Sequence, residues 1–199
     1  GGTDGSYSVV DKTIEYNGSS WSEKADLNLG RSDGSFAADG TTESGIIAGG
    51  QLFPSPGGVL DQTETFNGTS WQEVSELNTA RDNLTSSKAG SISGSLAFMG
   101  GTPSPYTDKT EEWNGASWTE KNGLNNARER GSGGGSSTAA IAVDGARAPA
   151  PANPDGVKYF ETWDGSSWTS GPDTNTAHYY GASWGTTTDA VVAGTNPAS

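Results

Sequence analysis

Three arginines and one histidine recur at nearly equal intervals, and each follows an asparagine by three residues: Arg31, Arg81, Arg128 and His178. A guanidinium group binds planar anions such as carboxylate and phosphate through two parallel hydrogen bonds. If the repeats surround one axis, these four side chains form a cationic ring that binds a carboxylate, a phosphate or a sugar acid. The alternative is that each arginine pairs with a carboxylate or carbonyl group of its own or the adjacent unit. Repetition in every unit favours this structural interpretation, since a binding site rarely needs all copies.

The sequence offers few residues for catalysis or metal binding. It has one histidine, His178, and no cysteine, so it lacks a thiolate or a second imidazole to share a metal. His178 stands at the position of a repeated arginine, and substitution within the repeat explains it. The chain has no acidic calcium loop and no phosphate-binding loop. We therefore expect a protein that is not an enzyme and that holds neither metal nor cofactor.

The chain is strongly acidic, with a net charge of −13 at pH 7. Nucleic acids and anionic membranes require clustered Lys and Arg, so neither is an expected partner. No apolar run approaches the roughly 18 residues of a membrane helix, and membrane insertion is not expected. The acidic residues of the predicted strands are expected to form a solvated rim, among them Glu64, Glu111 and Glu161.

One pattern occurs four times along the chain. An aromatic residue, Asn-Gly or Asp-Gly, two small residues and a tryptophan follow one another, with the tryptophans at Trp21, Trp71, Trp118 and Trp168. Each unit has room for four strands, which we name A to D. Strand A follows the repeated arginine, B is apolar and ends near glycine, C precedes Asn-Gly, and D begins at the tryptophan. Asn-Gly favours a tight C–D hairpin, because both residues accept a positive φ.

Four-stranded units of about fifty residues are typical of propeller blades. The predicted fold is all-β: a four-bladed β-propeller with four antiparallel strands per blade, in one domain, 1–199. The blades cover 31–74, 81–121, 128–171, and 178–195 together with 1–24. The first segment supplies only strands C and D and the last only A and B, so the two half-blades pair and close the ring, hiding strand edges. Phe36 and Trp184 are predicted to fill the axis. An excerpt from a larger ring is the competing interpretation.

The repeated unit resembles a kelch repeat, with a strand ending in Gly-Gly, then an aromatic residue, a tryptophan, and an arginine before the next inner strand. Residues 110–120, 77–81 and 96–101 are similar to segments of kelch-like proteins of marine bacteriophages. This resemblance covers essentially the whole chain. It implies a kelch-like propeller and a virion or tail-associated protein.

The connections between strands B and C differ most among the units, at residues 3–11, 51–61, 102–108 and 146–157. They share a face with the D–A connections that carry the arginines, and three of them are rich in proline. Proline stiffens a loop and lowers the entropy lost on binding. The candidate binding residues here are Pro54, Pro56, Pro103, Pro105, Tyr106 and Pro151. Sequence drift at a tolerant surface is the alternative.

We therefore expect a non-enzymatic binding or structural module, namely a phage virion or tail-associated protein located in the virion or outside the cell. Its expected partners are other virion proteins, or a glycan or protein of the host surface, recognised by the loop faces. Two alternatives stay open. One is a secreted carbohydrate-binding propeller. The other is a sugar mutarotase-like enzyme, which needs only an acid and a base.

Overall fold

The chain folds into short antiparallel β-strands separated by turns, as its many glycine, serine and threonine residues favour. The computed structural model describes residues 1–6, 8–38, 41–53, 58–89, 91–102, 106–147 and 155–194. Five of the candidate binding residues lie outside this described part: Pro54, Pro56, Pro103, Pro105 and Pro151.

Three consecutive repeats each form a four-stranded sheet. The strands of the first sheet are β3 (Ser35–Ala38), β4 (Gly45–Ala48), β5 (Thr63–Phe66) and β6 (Trp71–Val74), preceded in the chain by β1 (Ile14–Tyr16) and β2 (Trp21–Glu23). The second sheet has β7 (Thr85–Ser86), β8 (Leu96–Phe98), β9 (Thr110–Trp113) and β10 (Trp118–Lys121). The third sheet has β11 (Ser132–Ser136), β12 (Ala139–Val143), β15 (Phe160–Trp163) and β16 (Trp168–Ser170). Short strands β13 (Ala146–Arg147) and β14 (Asp155–Gly156) pair in the third B–C connection, and β17 (Ala182–Gly185) and β18 (Ala190–Ala193) end the described chain.

Within each four-stranded sheet the strands follow chain order and every neighbouring pair is antiparallel. This confirms the all-β class and the blade-like A-B-C-D order of the units. The first and last segments differ from the prediction. Strands β1 and β2 form a two-stranded sheet, as do β17 and β18, and the described residues include no hydrogen-bonded ladder between the two. Pairing of the half-blades stays a prediction.

The C–D hairpins are closed by side-chain caps. Asn67 Oδ1 accepts hydrogen bonds from the backbone N–H groups of Thr69 and Ser70, at 3.0 and 2.9 Å, while Gly68 takes a φ of +88°. Only the glycine is left-handed, so the expected turn with two positive φ values is wrong and an asparagine cap takes its place. In the third sheet Asp164 makes the same contacts, and the N–H groups of Ser167 and Ser166 lower the pKa of its carboxyl to about 2.

The hydrophobic core lies between neighbouring sheets. One buried cluster joins Ala37 and Ile46 of the first sheet to Trp113 and Trp118 of the second. An equivalent cluster joins the second and third sheets through residues such as Phe98 and Trp168. Each boundary between two neighbouring four-stranded sheets therefore has its own buried apolar cluster, as expected for stacked repeats.

The inner A strands lie side by side. Strand β7 contacts both β3 and β11, and β11 also contacts β17. Small residues make this approach possible, since a Cβ at Gly133 would lie 2.7 Å from the Phe98 ring and 2.9 Å from the Ser86 carbonyl oxygen. In the described part of the chain no helix is long and apolar enough to cross a membrane.

Candidate functional site

The repeated arginines are buried inside the sheets. Arg31, Arg81 and Arg128 expose 1%, 0% and 0% of their surface. Arg81 Nη2 donates to Glu111 Oε1 at 3.0 Å, and its Nη1 donates to the carbonyl oxygen of Lys109 at 3.0 Å. Arg31 and Arg128 form the same ion pairs with Glu64 and Glu161. Each pair joins the loop before a sheet to strand C of that sheet.

The paired glutamates are saturated by further donors. Glu111 Oε2 accepts hydrogen bonds from the backbone N–H and the side-chain amide of Asn78, both at 2.7 Å. The Asn78 amide also donates to the Trp118 carbonyl oxygen at 3.2 Å. The same set of bonds occurs around Glu64 and Glu161. The expected solvated rim is therefore wrong for these three glutamates, which expose 0–1% of their surface.

Burial has a direct electrostatic consequence for these groups. Desolvation lowers the pKa of Arg81 to about 10, against the opposing effect of the Glu111 carboxylate. The group still carries its charge at neutral pH, and the pair is held by hydrogen bonds on both sides. Binding of an external anion by Arg31, Arg81 and Arg128 stays a prediction. It would require each guanidinium group to leave its glutamate, whereas the present contacts follow the structural interpretation of the sequence.

His178 does not take part in a buried ion pair of this kind, and the glutamate expected as its partner is also absent. Its Nδ1 lies 2.5 Å from Asp144 Oδ2, and Thr174 Oγ1 donates to Asp144 Oδ1 at 2.6 Å. Burial raises the pKa of Asp144, although the Thr174 and His178 contacts oppose that rise. In the repeat, the position of the buried glutamate is occupied by Ile14 in strand β1. The fourth arginine and the fourth glutamate are thus both replaced.

Residues two positions after the arginines and the histidine converge on one cavity, which we call the mouth cavity. It is lined by Asp33, Asn83, Arg130 and Tyr180 with their neighbours, and its volume is about 210 Å³. All four residues are left-handed, with φ between 49° and 59°. Backbone N–H groups link them in a run: Asn83 donates to Asp33 at 2.8 Å, Arg130 to Asn83 at 3.0 Å, and Tyr180 to Arg130 at 2.8 Å. Each repeat therefore contributes one equivalent residue to the same opening.

The mouth cavity has mixed charge. Arg130 Nε lies 3.5 Å from Glu129 Oε1, and the Arg130 guanidinium stands 5.3 Å from the centre of the Tyr180 ring. Burial raises the pKa of the adjacent Asp82 to about 6, with a further contribution from the Glu129 charge. The pKa of Glu129 is raised as well, by burial. These groups can donate and accept hydrogen bonds to a polar ligand, and Asp82 exchanges a proton near pH 6.

The candidate Tyr106 lies on the same face, in the second B–C connection. Its backbone pairs with Gly101, and its hydroxyl group interacts with Arg147. Arg147 Nη1 also donates to Tyr159 Oη at 3.4 Å, and the two phenols raise the pKa of this guanidinium. The structure thus brings Tyr106 together with an arginine and a tyrosine of the third repeat. Among the described residues no group of three or more His, Cys, Asp or Glu is placed to hold a metal ion.

Sequence reasoning singled out the arginines and missed the two positions after them. Those positions read Ser32-Asp33, Asp82-Asn83, Glu129-Arg130 and Tyr179-Tyr180, so they differ in every repeat beside a nearly constant arginine. Variation next to a constant residue was the available signal, because a shared scaffold keeps its contacts while a ligand-contacting position changes.

Comparison with known proteins gives a fold and no family. No protein-family model matches the chain, and no curated protein matches it either. Among solved structures, that of YjhT is similar, with a TM-score of 0.60 over 98% of this chain and 86% of that chain, at 11% sequence identity. At this identity the similarity concerns the fold alone.

Proposed function

We propose that the chain is a closed four-bladed, kelch-like propeller that acts as a non-enzymatic binding module, with the mouth cavity as its ligand site. Support for four blades comes from the mouth cavity, where one equivalent residue from each of four repeats lines the same opening. The backbone hydrogen bonds link residues 33, 83, 130 and 180 in that order. In the described part of the chain no such bond joins residue 33 back to residue 180, so closure of the ring is part of the proposal.

The binding role is carried by one observation: four left-handed positions with equal backbone geometry place four residues of different type at one cavity. Asp33, Asn83, Arg130 and Tyr180 supply a carboxylate, an amide, a guanidinium and a phenol. Such a mixed set suits a polar ligand with hydroxyl, amide or charged groups, such as a surface glycan or an exposed peptide loop. Tyr106 and Arg147 extend the same face outward.

The proposed biological setting rests on the sequence resemblance alone. The resemblance to kelch-like phage proteins supports a virion or tail-associated protein, whose partners are other virion proteins or a glycan or protein of the host surface. Mass spectrometry of purified virus particles from the source tests this setting. Recovery of the chain in stoichiometric amounts supports it, and absence from the particles counts against it.

The binding role is tested on an array of bacterial surface glycans with the fluorescently labelled protein. We expect a defined set of bound glycans, and a loss of at least tenfold in affinity for the Arg130→Ala variant. Lys88→Ala is the matched control, because it also removes one cation but follows strand β7, at the opposite end of the inner strands from the mouth cavity. Equal loss in both variants would indicate binding by net charge and contradict the proposed site.

A sugar mutarotase-like activity is a second candidate function, and one observation favours it. Asp82, with a pKa of about 6, lies beside Glu129, whose pKa is also raised by burial. Asp82 can therefore exchange a proton near pH 6 with a second carboxyl group next to it, as acid–base catalysis requires. Exchange spectroscopy by NMR on a panel of reducing hexoses and sugar acids tests this activity. Acceleration of anomer exchange that is lost in Asp82→Asn supports the enzyme, and no acceleration leaves the binding role.

A further inference from the structure

The exposed large apolar side chains lie along one boundary of the molecule. In the described part of the chain they are Ile14, Tyr16, Trp21, Phe36, Tyr180, Trp184 and Val191, with exposures of 45% to 65%. All belong to β1–β2, to β3, or to the segment that ends in β17–β18. The expected filling of an axis by Phe36 and Trp184 is therefore wrong for this arrangement, in which both rings are half exposed. Apolar side chains concentrated in this way mark a surface that is covered by a partner.

The repeat shows what covers the equivalent residues elsewhere. Trp184 and Val191 face each other across β17–β18, as Ala37 and Ile46 do across β3–β4. Ala37 and Ile46 expose only 4% and 2% of their surface, because they belong to the cluster that includes Trp113 and Trp118.

The counterparts of Trp113 and Trp118 in the first sheet are Phe66 and Trp71, and they line an apolar cavity of about 370 Å³. Ile14, Tyr16 and Phe36 line it as well, so it lies along the free edge of β1 and in front of β3. We call it the seam cavity. In the three complete sheets this position, next to strand C and facing the following sheet, is held by strand B.

Two replaced residues indicate which strand B belongs there. A buried arginine without its glutamate, or the reverse, is strongly destabilising. His178, just before β17, stands where the other repeats have the arginine. Ile14, in β1, stands where they have the glutamate. Loss of both charges is explained if residues 178 and 14 share one blade. It has no such explanation if they belong to different blades, where each change would leave a partner unpaired.

We propose that the seam cavity is the docking site for the chain's own β17–β18 hairpin, with β18 pairing antiparallel to β1. The registers of the three complete sheets fix the pairs as Ala193 with Thr13, Val192 with Ile14, Val191 with Glu15, and Ala190 with Tyr16. Trp184 and Val191 then face Phe36, Phe66 and Trp71. This fourth blade is held by apolar contacts and backbone bonds, without the arginine–glutamate pair that fixes the other three.

Charge complementarity at the cavity agrees with this occupant. Among the described residues that line it, one ion pair joins Lys24 to Glu15 at 2.7 Å, so these two charges are matched. The hairpin brings the uncharged segment Ala190–Ala193. The hairpin is also near at hand, because β17 packs against β11 and Tyr180 lines the mouth cavity with Asp33. Docking requires the gap beside Tyr180 and Asp33 to close. All residues that take part in it belong to the described part of the chain.

The native sequence has no cysteine, so a disulfide test has no background thiols. The variant Ile14→Cys/Val192→Cys places thiols on a predicted opposite pair, where Cα atoms lie about 4.5–5.5 Å apart and a disulfide fits. The matched control is Ile14→Cys/Ala190→Cys, shifted by two residues, with Cα atoms about 8 Å apart and beyond disulfide reach. We expect the first variant to oxidise at least tenfold faster than the control and to run as a monomer on a non-reducing gel.

Other outcomes overturn the proposal. Disulfide-linked dimers at low protein concentration would show that a second copy occupies the seam cavity, and equal oxidation of both variants would show that β18 has no fixed register on β1. Hydrogen exchange on the unmodified protein gives an independent measurement. We expect the amides of β1 and β18 to exchange as slowly as those of β4 and β5, and fast exchange at both edges would contradict the docking. The inference rests on the closed propeller proposed above, but glycan binding that depends on Arg130 tests the ligand site separately.

Discussion

The indole N–H of Trp118 donates to Thr63 Oγ1 at 3.0 Å, which links the second sheet to the first through a buried hydrogen bond. The same bond joins Trp168 to Thr110 and Trp71 to Thr13, both at 2.9 Å. Each sheet is therefore tied to its predecessor by one tryptophan, in addition to the apolar cluster around it. In β15 the threonine position is taken by Phe160, so a sheet that follows the third one finds no such acceptor there.

Replacing Thr63 by Val tests this link. The change keeps the shape of the side chain but leaves the Trp118 N–H without an acceptor at a position only 7% exposed. We expect the free energy of unfolding to fall by about 1–3 kcal/mol, the cost of an unsatisfied buried donor. Urea denaturation followed by tryptophan fluorescence measures it. The Thr13→Val variant is the control and should lose less, since Trp71 is only partly buried.

The buried ion pair of Arg81 gives a second prediction. Glu111→Gln leaves the guanidinium buried without a carboxylate, and we expect a loss of about 3–5 kcal/mol in the free energy of unfolding. Glu112→Gln removes the neighbouring glutamate, which pairs with Lys121 at 2.8 Å with both side chains about one third exposed. For that variant we expect about 0–1 kcal/mol. Similar losses in the two variants, measured by chemical denaturation, would contradict the role assigned to the buried pair.

Asp82 predicts a pH dependence of stability. Its folded pKa of about 6 lies above the value of about 3.9 for an unfolded chain, so the folded state binds more protons in that interval. Stability from this group therefore falls as the pH rises from about 4 to 6. Asp82→Asn should be more stable than the native protein at pH 7 and equal to it below pH 4. The gain should stay well below the roughly 3 kcal/mol of the full pKa shift, because solvent screens this half-buried carboxyl group. Melting temperatures of both proteins across this range measure the effect.

A contrasting variant checks the sign of that prediction. Backbone N–H groups hold the pKa of Asp164 at about 2, so its carboxylate favours the folded state above that pH. Asp164→Asn should therefore lower stability slightly at pH 7, where Asp82→Asn raises it. If both substitutions moved the melting temperature in the same direction, removal of negative charge in general would be the cause, and the assignment to burial of Asp82 would be wrong.

Gly100 lies two residues after strand β8 with a φ of +119°, and a Cβ there would lie 2.7 Å from the Asp82 carbonyl oxygen. Gly2 has a φ of +117° with open space around it. Both alanine variants suffer backbone strain, but only Gly100→Ala also forces the backbone apart. We expect Gly100→Ala to lose about 1–3 kcal/mol more than Gly2→Ala in thermal or urea unfolding. Equal losses would mean that the D–A loop relaxes around the added methyl group.

Much of the fold could be predicted from the sequence, because each repeat contains local sequence patterns that specify its strands and turns. The tryptophans and the Asn-Gly pairs predicted the C–D hairpins, and the apolar runs before Gly50 and Gly101 predicted strand B. The turn geometry was predicted less well, because Asn67 uses its side chain to cap the turn instead of adopting a positive φ. Propensity alone does not distinguish these two uses of asparagine.

The candidate site was accessible only in part. The repeated arginines were visible, but their partners Glu64, Glu111 and Glu161 lie some 30 residues further along the chain, and the sequence alone did not reveal this long-range pairing. The mouth cavity depends on how the loops of four repeats converge, which no local pattern encodes. Asp82 illustrates the point, since its shifted pKa arises from burial and from Glu129 in another repeat.

In each short D–A loop, the residue with a left-handed backbone (33, 83, 130 or 180) has a different role from the residue two positions before it. Residue 81 or 128 serves the interior of a blade, while residue 83 or 130, two steps later, points to the opening shared by all repeats. Substitutions at these four positions can therefore change the ligand specificity without changing the residues that hold the fold together. A library randomised at these four codons alone would sample new ligands on an unchanged architecture.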